Sequence, residues 1–95
     1  MSESLQTARQ EMQAIDAQLI PLLVKRLTTA QQIAAIKQHH GWPIFDPTRE
    51  QAVLRQVQEA VADQAEQSAI LEIYQALMNT TKKWEKHTIK EDNHA

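Results

Sequence analysis

The 95-residue sequence predicts an all-α fold, and three observations carry that expectation. One Gly and three Pro are too few to supply the turns of a sheet. Ala, Gln, Leu and Ile are abundant, which suits long helices. Apolar residues recur at three- and four-residue steps along most of the chain, the spacing that gathers them on one helical face. A chain this short makes a single domain, residues 1–95. It is near the size at which one core only just outweighs chain entropy, so self-association is expected before any motif is considered.

The first and longest helix is expected over about residues 4–39. Leu5, Met12, Ile15, Leu19, Leu22, Leu23, Leu27, Ile33 and Ile36 form its stripe. Pro21 interrupts it, deleting one backbone hydrogen bond at about 3 kcal/mol, and a bend rather than a stop is expected because the periodicity continues on both sides. Residues 40–45 read as a loop, with Gly41 as the helix stop. Asp46-Pro47 then supplies an N-cap and a first-turn proline. The second helix, about 47–62, turns Val53, Leu54, Val57 and Val61 inward and fades through the polar stretch Asp63 to Gln67. The third, about 67–87, keeps Ile70, Ile73, Tyr74, Leu77, Met78, Thr81 and Trp84 on one face, and the polar tail 89–95 is expected to fray.

A helix of about 36 residues is roughly 54 Å long, whereas a compact globule of this size has a radius of gyration of about 13 Å. The long helix must therefore protrude. Half of its apolar stripe would face water in a monomer, and an intertwined homodimer with long helices side by side is the simplest way to bury it.

Composition narrows the chemistry. With no Cys, disulfide frameworks, thiolate metal sites and thiol catalysis are excluded, in keeping with a reducing compartment. Ten Lys and Arg against twelve Asp and Glu, with no dense cationic block, give no sign of nucleic-acid or membrane binding. No stretch resembles a signal peptide or a membrane span, so a cytoplasmic protein is expected. His39-His40 is a poor metal pair because adjacent helical residues point apart and no third ligand is spaced to help; no metal site is expected.

The informative residues are charges on apolar faces. Arg26 follows Leu19, Leu22 and Leu23 at seven, four and three residues. Lys37, eleven residues later, falls within roughly 20° of it and about 16 Å further along, with Ile33 between. Inward cations call for an anion, either an internal carboxylate or a ligand, unless their heads snorkel to water. Arg9 lies about 25 Å from Arg26 along the axis, so one protomer cannot bring both to one small ligand; an antiparallel partner can, and otherwise Arg9 is a surface residue. Asp46, Arg49 and Glu50 surround a helix start, readable either as a site or as an ordinary cap and a solvated pair. Thr81 and Glu85 lie four apart on one face, bordering apolar residues.

Taken in order, Arg9, Ile15-Asp16, Leu22-Leu23-x-x-Arg26, Lys37 and Gly41-x-Pro43-Ile44-x-Asp46-x-x-Arg49-Glu50 resemble the all-helical (AroQ) class of chorismate mutase across most of the chain. The resemblance implies three helices in an interlocked dimer and the rearrangement of chorismate to prephenate, for phenylalanine and tyrosine biosynthesis, without any cofactor. It implies that Arg26, and Arg9 of the partner subunit, clamp the two substrate carboxylates with help from Thr81. Lys37 would donate to the ether oxygen, Glu50 and the backbone at Asp46 would hold the ring hydroxyl, and Arg49 would support that region. Glu85 falls where the family places Gln or Glu beside the ether oxygen, and only a protonated carboxyl can donate there. Two rival readings are isochorismate pyruvate lyase on the same fold, disfavoured by Glu50, and a non-catalytic helical dimerisation module, disfavoured by Arg26 and Lys37 facing inward.

Overall fold

The computed structural model describes the backbone of residues 2–94 and the side chains of residues 3–89. It consists of three helices, α1 (Ser2–His40), α2 (Pro47–Ala60) and α3 (Gln64–His94), with no strand among the described residues. None of these helices is long and apolar enough to cross a membrane. Helix α1 runs through Pro21 without a stop.

Each boundary has a chemical cause. At the end of α1, the Gly41 N–H donates to the Gln38 carbonyl at 3.2 Å and the Trp42 N–H to the Lys37 carbonyl at 2.8 Å. This is the paired-carbonyl ending that a left-handed residue makes, and Gly41 supplies it with φ 71°. His40 then stacks on Trp42, ring centroids 4.2 Å apart. Asp46 caps α2, its carboxylate accepting from the Arg49 N–H at 3.0 Å, with Pro47 in the first turn.

Two boundaries depart from the sequence expectation. Helix α2 ends at Ala60 rather than 62, because Val61 is extended and the chain turns early into a cap for α3. Asp63 is that cap: its carboxylate accepts from the Glu66 N–H at 2.8 Å, so α3 begins at Gln64 and not at about 67. The Gln67 side-chain amide donates to the Gln58 and Val61 carbonyls, both at 2.9 Å, satisfying acceptors that the end of α2 leaves open. The other correction is at the far end. The expected frayed tail 89–95 is helical as far as His94, and Ala95 lies outside the described residues. No Gly or Pro follows Pro47 to stop it, and Thr88 is buried where the tail begins.

Helices α1 and α2 do not pack on each other; both lean on α3. The core they form is thin. Among the described residues its buried apolar members are Ala30, Ala34, Val57 and Met78, small or flexible side chains that let the helices approach closely. The Trp84 indole N–H donates to the Leu27 carbonyl at 3.1 Å, fastening α3 to α1. The radius of gyration is 17.2 Å, against about 13 Å for a compact chain of this length, and the longest dimension is 57 Å. Much of the apolar stripe is left in water: Leu5, Met12, Ile15, Leu19 and Leu22 are each 45–62% exposed. Ile73, expected on the inner face of the third helix, is also exposed, because no described element packs over it.

A Cβ added at Gly41 would meet nothing within 4 Å, so substitution there is opposed only by the backbone conformation. Gly41→Ala should therefore destabilise the chain by about 1 kcal/mol, and Gly41→Asn by less. The midpoint of urea unfolding measures both; equal midpoints for Ala and Gly would contradict the left-handed ending.

Candidate active site

The two inward cations of α1 are both held inside. The Arg26 guanidinium donates to Thr81 Oγ1 at 2.7 Å, and the Thr81 hydroxyl donates in turn to the Leu77 carbonyl at 2.7 Å. Lys37 Nζ donates to the Ile44 carbonyl at 2.9 Å, tying α1 to the loop before α2. Both side chains are half-buried, and neither makes an ion pair among the described residues. Each has donors to spare, since a guanidinium carries five N–H groups and an ammonium three.

Opposite them on α3, one turn beyond Thr81, sits Glu85. It is 7% exposed, and its Oε2 is buried without a hydrogen-bond partner among the described residues. Burial pushes the Glu85 carboxyl above its ordinary range, and the charges of Lys37 and Arg26 oppose that rise without cancelling it. An unsatisfied buried polar group is costly, about 1–3 kcal/mol when neutral and more when charged, which acts in the same direction as the raised pKa. When protonated, the carboxyl carries a hydrogen-bond donor.

These groups open on one cavity of about 550 Å³. Helices α1 and α3 supply Arg26, Lys37, Thr81 and Glu85, and the start of α2 supplies Asp46, Arg49 and Glu50. Its apolar lining includes Ile33, Val53 and Met78. Asp46 lies at the rim with its carboxylate committed to capping α2. Glu50 is paired with Lys82, Nζ to Oε2 at 3.0 Å. Of the eight residues singled out from sequence, seven meet here and Arg9 does not: it is exposed on the N-terminal half of α1, seventeen residues before Arg26.

Three residues were missed. Lys25 and Thr29 also line the cavity. Thr29 lies three residues after Arg26 on the same helix, so helical spacing alone could have found it. Lys82 was invisible because its partner Glu50 is on another helix.

Four cations (Lys25, Arg26, Lys37, Arg49) and three carboxyl groups (Asp46, Glu50, Glu85) surround the space. Glu50 is offset by Lys82 and Glu85 is pushed toward neutrality, so the cavity favours an anionic ligand. Its donors come from several directions over an apolar floor, an arrangement that can grip a small dianion, hold it in one conformation and stabilise negative charge developing on it. The Thr81 hydroxyl donates to a backbone carbonyl and faces a cation, not a base, so the arrangement is not that of an activated nucleophile.

The family model for chorismate mutase type II matches residues 8–86. The chain is 27% identical over 92 residues to the chorismate mutase of Methanocaldococcus jannaschii, an overlap that takes in 96% of this chain and 93% of that protein. It is 42% identical over 53 residues to the T-protein of Haemophilus influenzae, covering 56% of this chain but only 14% of that much longer relative. No solved structure matches. The matched span contains every cavity residue named above, and the chain belongs to the chorismate mutase type II family.

Proposed function

We propose that this chain converts chorismate to prephenate by electrostatic preorganisation, in active sites completed by a second copy of itself, as a step of aromatic amino acid biosynthesis. The observation that carries this reading is the convergence on one cavity of two inward cations without ion pairs and a buried carboxyl oxygen without a hydrogen-bond partner, both among the described residues. In a [3,3] rearrangement one C–O bond breaks as a C–C bond forms within a single molecule, so no nucleophile, oxidant or cofactor enters the balance. What is required is a substrate folded into a chair and a donor for the charge that grows on the ether oxygen.

Arg26 clamps one substrate carboxylate, already oriented by Thr81. Lys37 and protonated Glu85 donate to the ether oxygen from α1 and α3. Glu50 and the backbone at Asp46 receive the ring hydroxyl, the Asp46 side chain being committed to its cap, and Arg49 adds positive charge at that end. Arg9 of the partner subunit closes the remaining side. It lies four residues after Leu5 and three before Met12, within the apolar stripe that α1 leaves in water, so covering that stripe with a second copy brings it into the interface.

Following chorismate loss with purified, metal-free protein tests the reaction directly. Arg26→Leu should lower kcat/KM by about 10²–10³, equivalent to roughly 3–4 kcal/mol of transition-state stabilisation, while the fold holds or gains stability. A non-catalytic scaffold would gain the stability and have no rate to lose.

Because burial raises the Glu85 pKa, its donating form persists to higher pH than for an ordinary carboxyl. Activity should climb as pH falls through that raised value, and Glu85→Gln, which keeps a donor at every pH, should flatten the profile. The same shift makes the folded state bind the proton more tightly than the unfolded chain. Stability should therefore decline as pH rises from the ordinary carboxylate range through the raised value, and the Gln variant should lose that dependence too. A Gln variant with an unaltered pH profile would remove Glu85 from the reaction.

Shared sites predict complementation. Arg9→Ala and Arg26→Ala chains, each nearly inactive alone, should regain up to about a quarter of wild-type activity when unfolded together and refolded as a 1:1 mixture, since half the dimers are mixed and each has one intact site. No recovery would place both arginines in the same protomer's site or in none.

A further inference from the structure

Lys82 lies outside the cavity just described, on the other side of Glu50, where it lines a second cleft with Phe45, Asn79, Lys83 and Lys86. Its ammonium is 3.0 Å from Glu50 Oε2, with both side chains mostly shielded from solvent, and it sits 4.5 Å from the centre of the Phe45 ring. One side chain on α3 therefore grips both the first turn of α2 and the loop that precedes it. Among the described residues α1 and α2 do not pack on each other, so beyond the Lys37–Ile44 hydrogen bond the place of Glu50 relative to Arg26 is set through α3. Lys82 makes that link on the α2 side.

We propose that Lys82 is a positioning residue that aims Glu50 at the substrate's ring hydroxyl and offsets its charge. This rests on the reading of Glu50 given above. A carboxylate with one oxygen held by an ammonium from behind presents the other in a fixed direction, as an acceptor for a hydroxyl. An unpaired Glu50 would also repel a dianionic substrate, and Lys82 neutralises it without entering the cavity. The hydroxyl takes no part in bond making or breaking, so the contact is worth the same in the ground state and the transition state. Losing it should raise KM and leave kcat nearly unchanged.

The experiment compares Lys82→Met, Lys82→Arg, Glu50→Gln and the double variant Lys82→Met/Glu50→Gln, with circular dichroism confirming the helices in each. Lys82→Met should raise KM for chorismate about tenfold with kcat within about twofold of wild type. Lys82→Arg should restore most of the loss, because a guanidinium can hold the same oxygen. In the Glu50→Gln background, Lys82→Met should add little further change. Lys82→Met with unaltered KM, or an effect equally large with and without Glu50, overturns the proposal. Wild-type protein that does not consume chorismate, or Glu50→Gln with unaltered KM, instead overturns the reading on which it rests.

Discussion

Shielding a cation from water without a counter-ion is unfavourable, and α1 half-buries two on one face, Arg26 and Lys37, with no ion pair among the described residues. The rest of the fold accommodates this by surrounding each head with neutral acceptors: a threonine hydroxyl for Arg26 and a backbone carbonyl for Lys37. Neutral acceptors leave the charge in place. An internal carboxylate would have stabilised the cations more simply, yet burial pushes the carboxyl that faces them, Glu85, above its ordinary range despite their charge. Cations and carboxyl are held so that neither quenches the other, which keeps a region of positive potential ready for an external anion.

That arrangement depends on helix α3 more than on either of its neighbours. It carries Thr81 and Glu85 toward α1 and Lys82 toward α2, and it makes the only helix-to-helix packing described. Its position is fixed at both ends of the contact region, by the Gln67 amide on the carbonyls of α2 and by the Trp84 indole on the Leu27 carbonyl. Neither bond is strong, on the order of 1 kcal/mol, but each satisfies an acceptor in a direction that permits one docking angle. With so few buried apolar side chains, such directional bonds have an unusually large share in setting geometry.

Much of this was legible in the sequence where a single helix carried the signal. Arg26 and Lys37 share a face because eleven residues close three helical turns, and Thr81 and Glu85 because four residues nearly close one. Gly41 and Asp46-Pro47 are local stop and start signals that read correctly. Where the cause lay between elements, sequence reasoning failed. The polar run at Asp63 looked like a fading helix because its carboxylate acts on the following helix. Lys82, next to Thr81, points about 100° away from it, and nothing in its own helix marks a partner on α2. The polar tail of α3 lacked an apolar stripe to advertise it, although nothing in its composition stops a helix. Arg9 is a different case, since no arrangement within one chain brings it to the cavity.

The four-residue step between Thr81 and Glu85 also makes the site sensitive to chain length in a way that it is not to composition. A residue inserted between them leaves Thr81 on Arg26 but turns Glu85 by about 100°, out of the cavity and onto the helix flank. A deletion turns it the other way. Between Thr81 and Glu85, exchange of one side chain for another preserves the register that an indel would break.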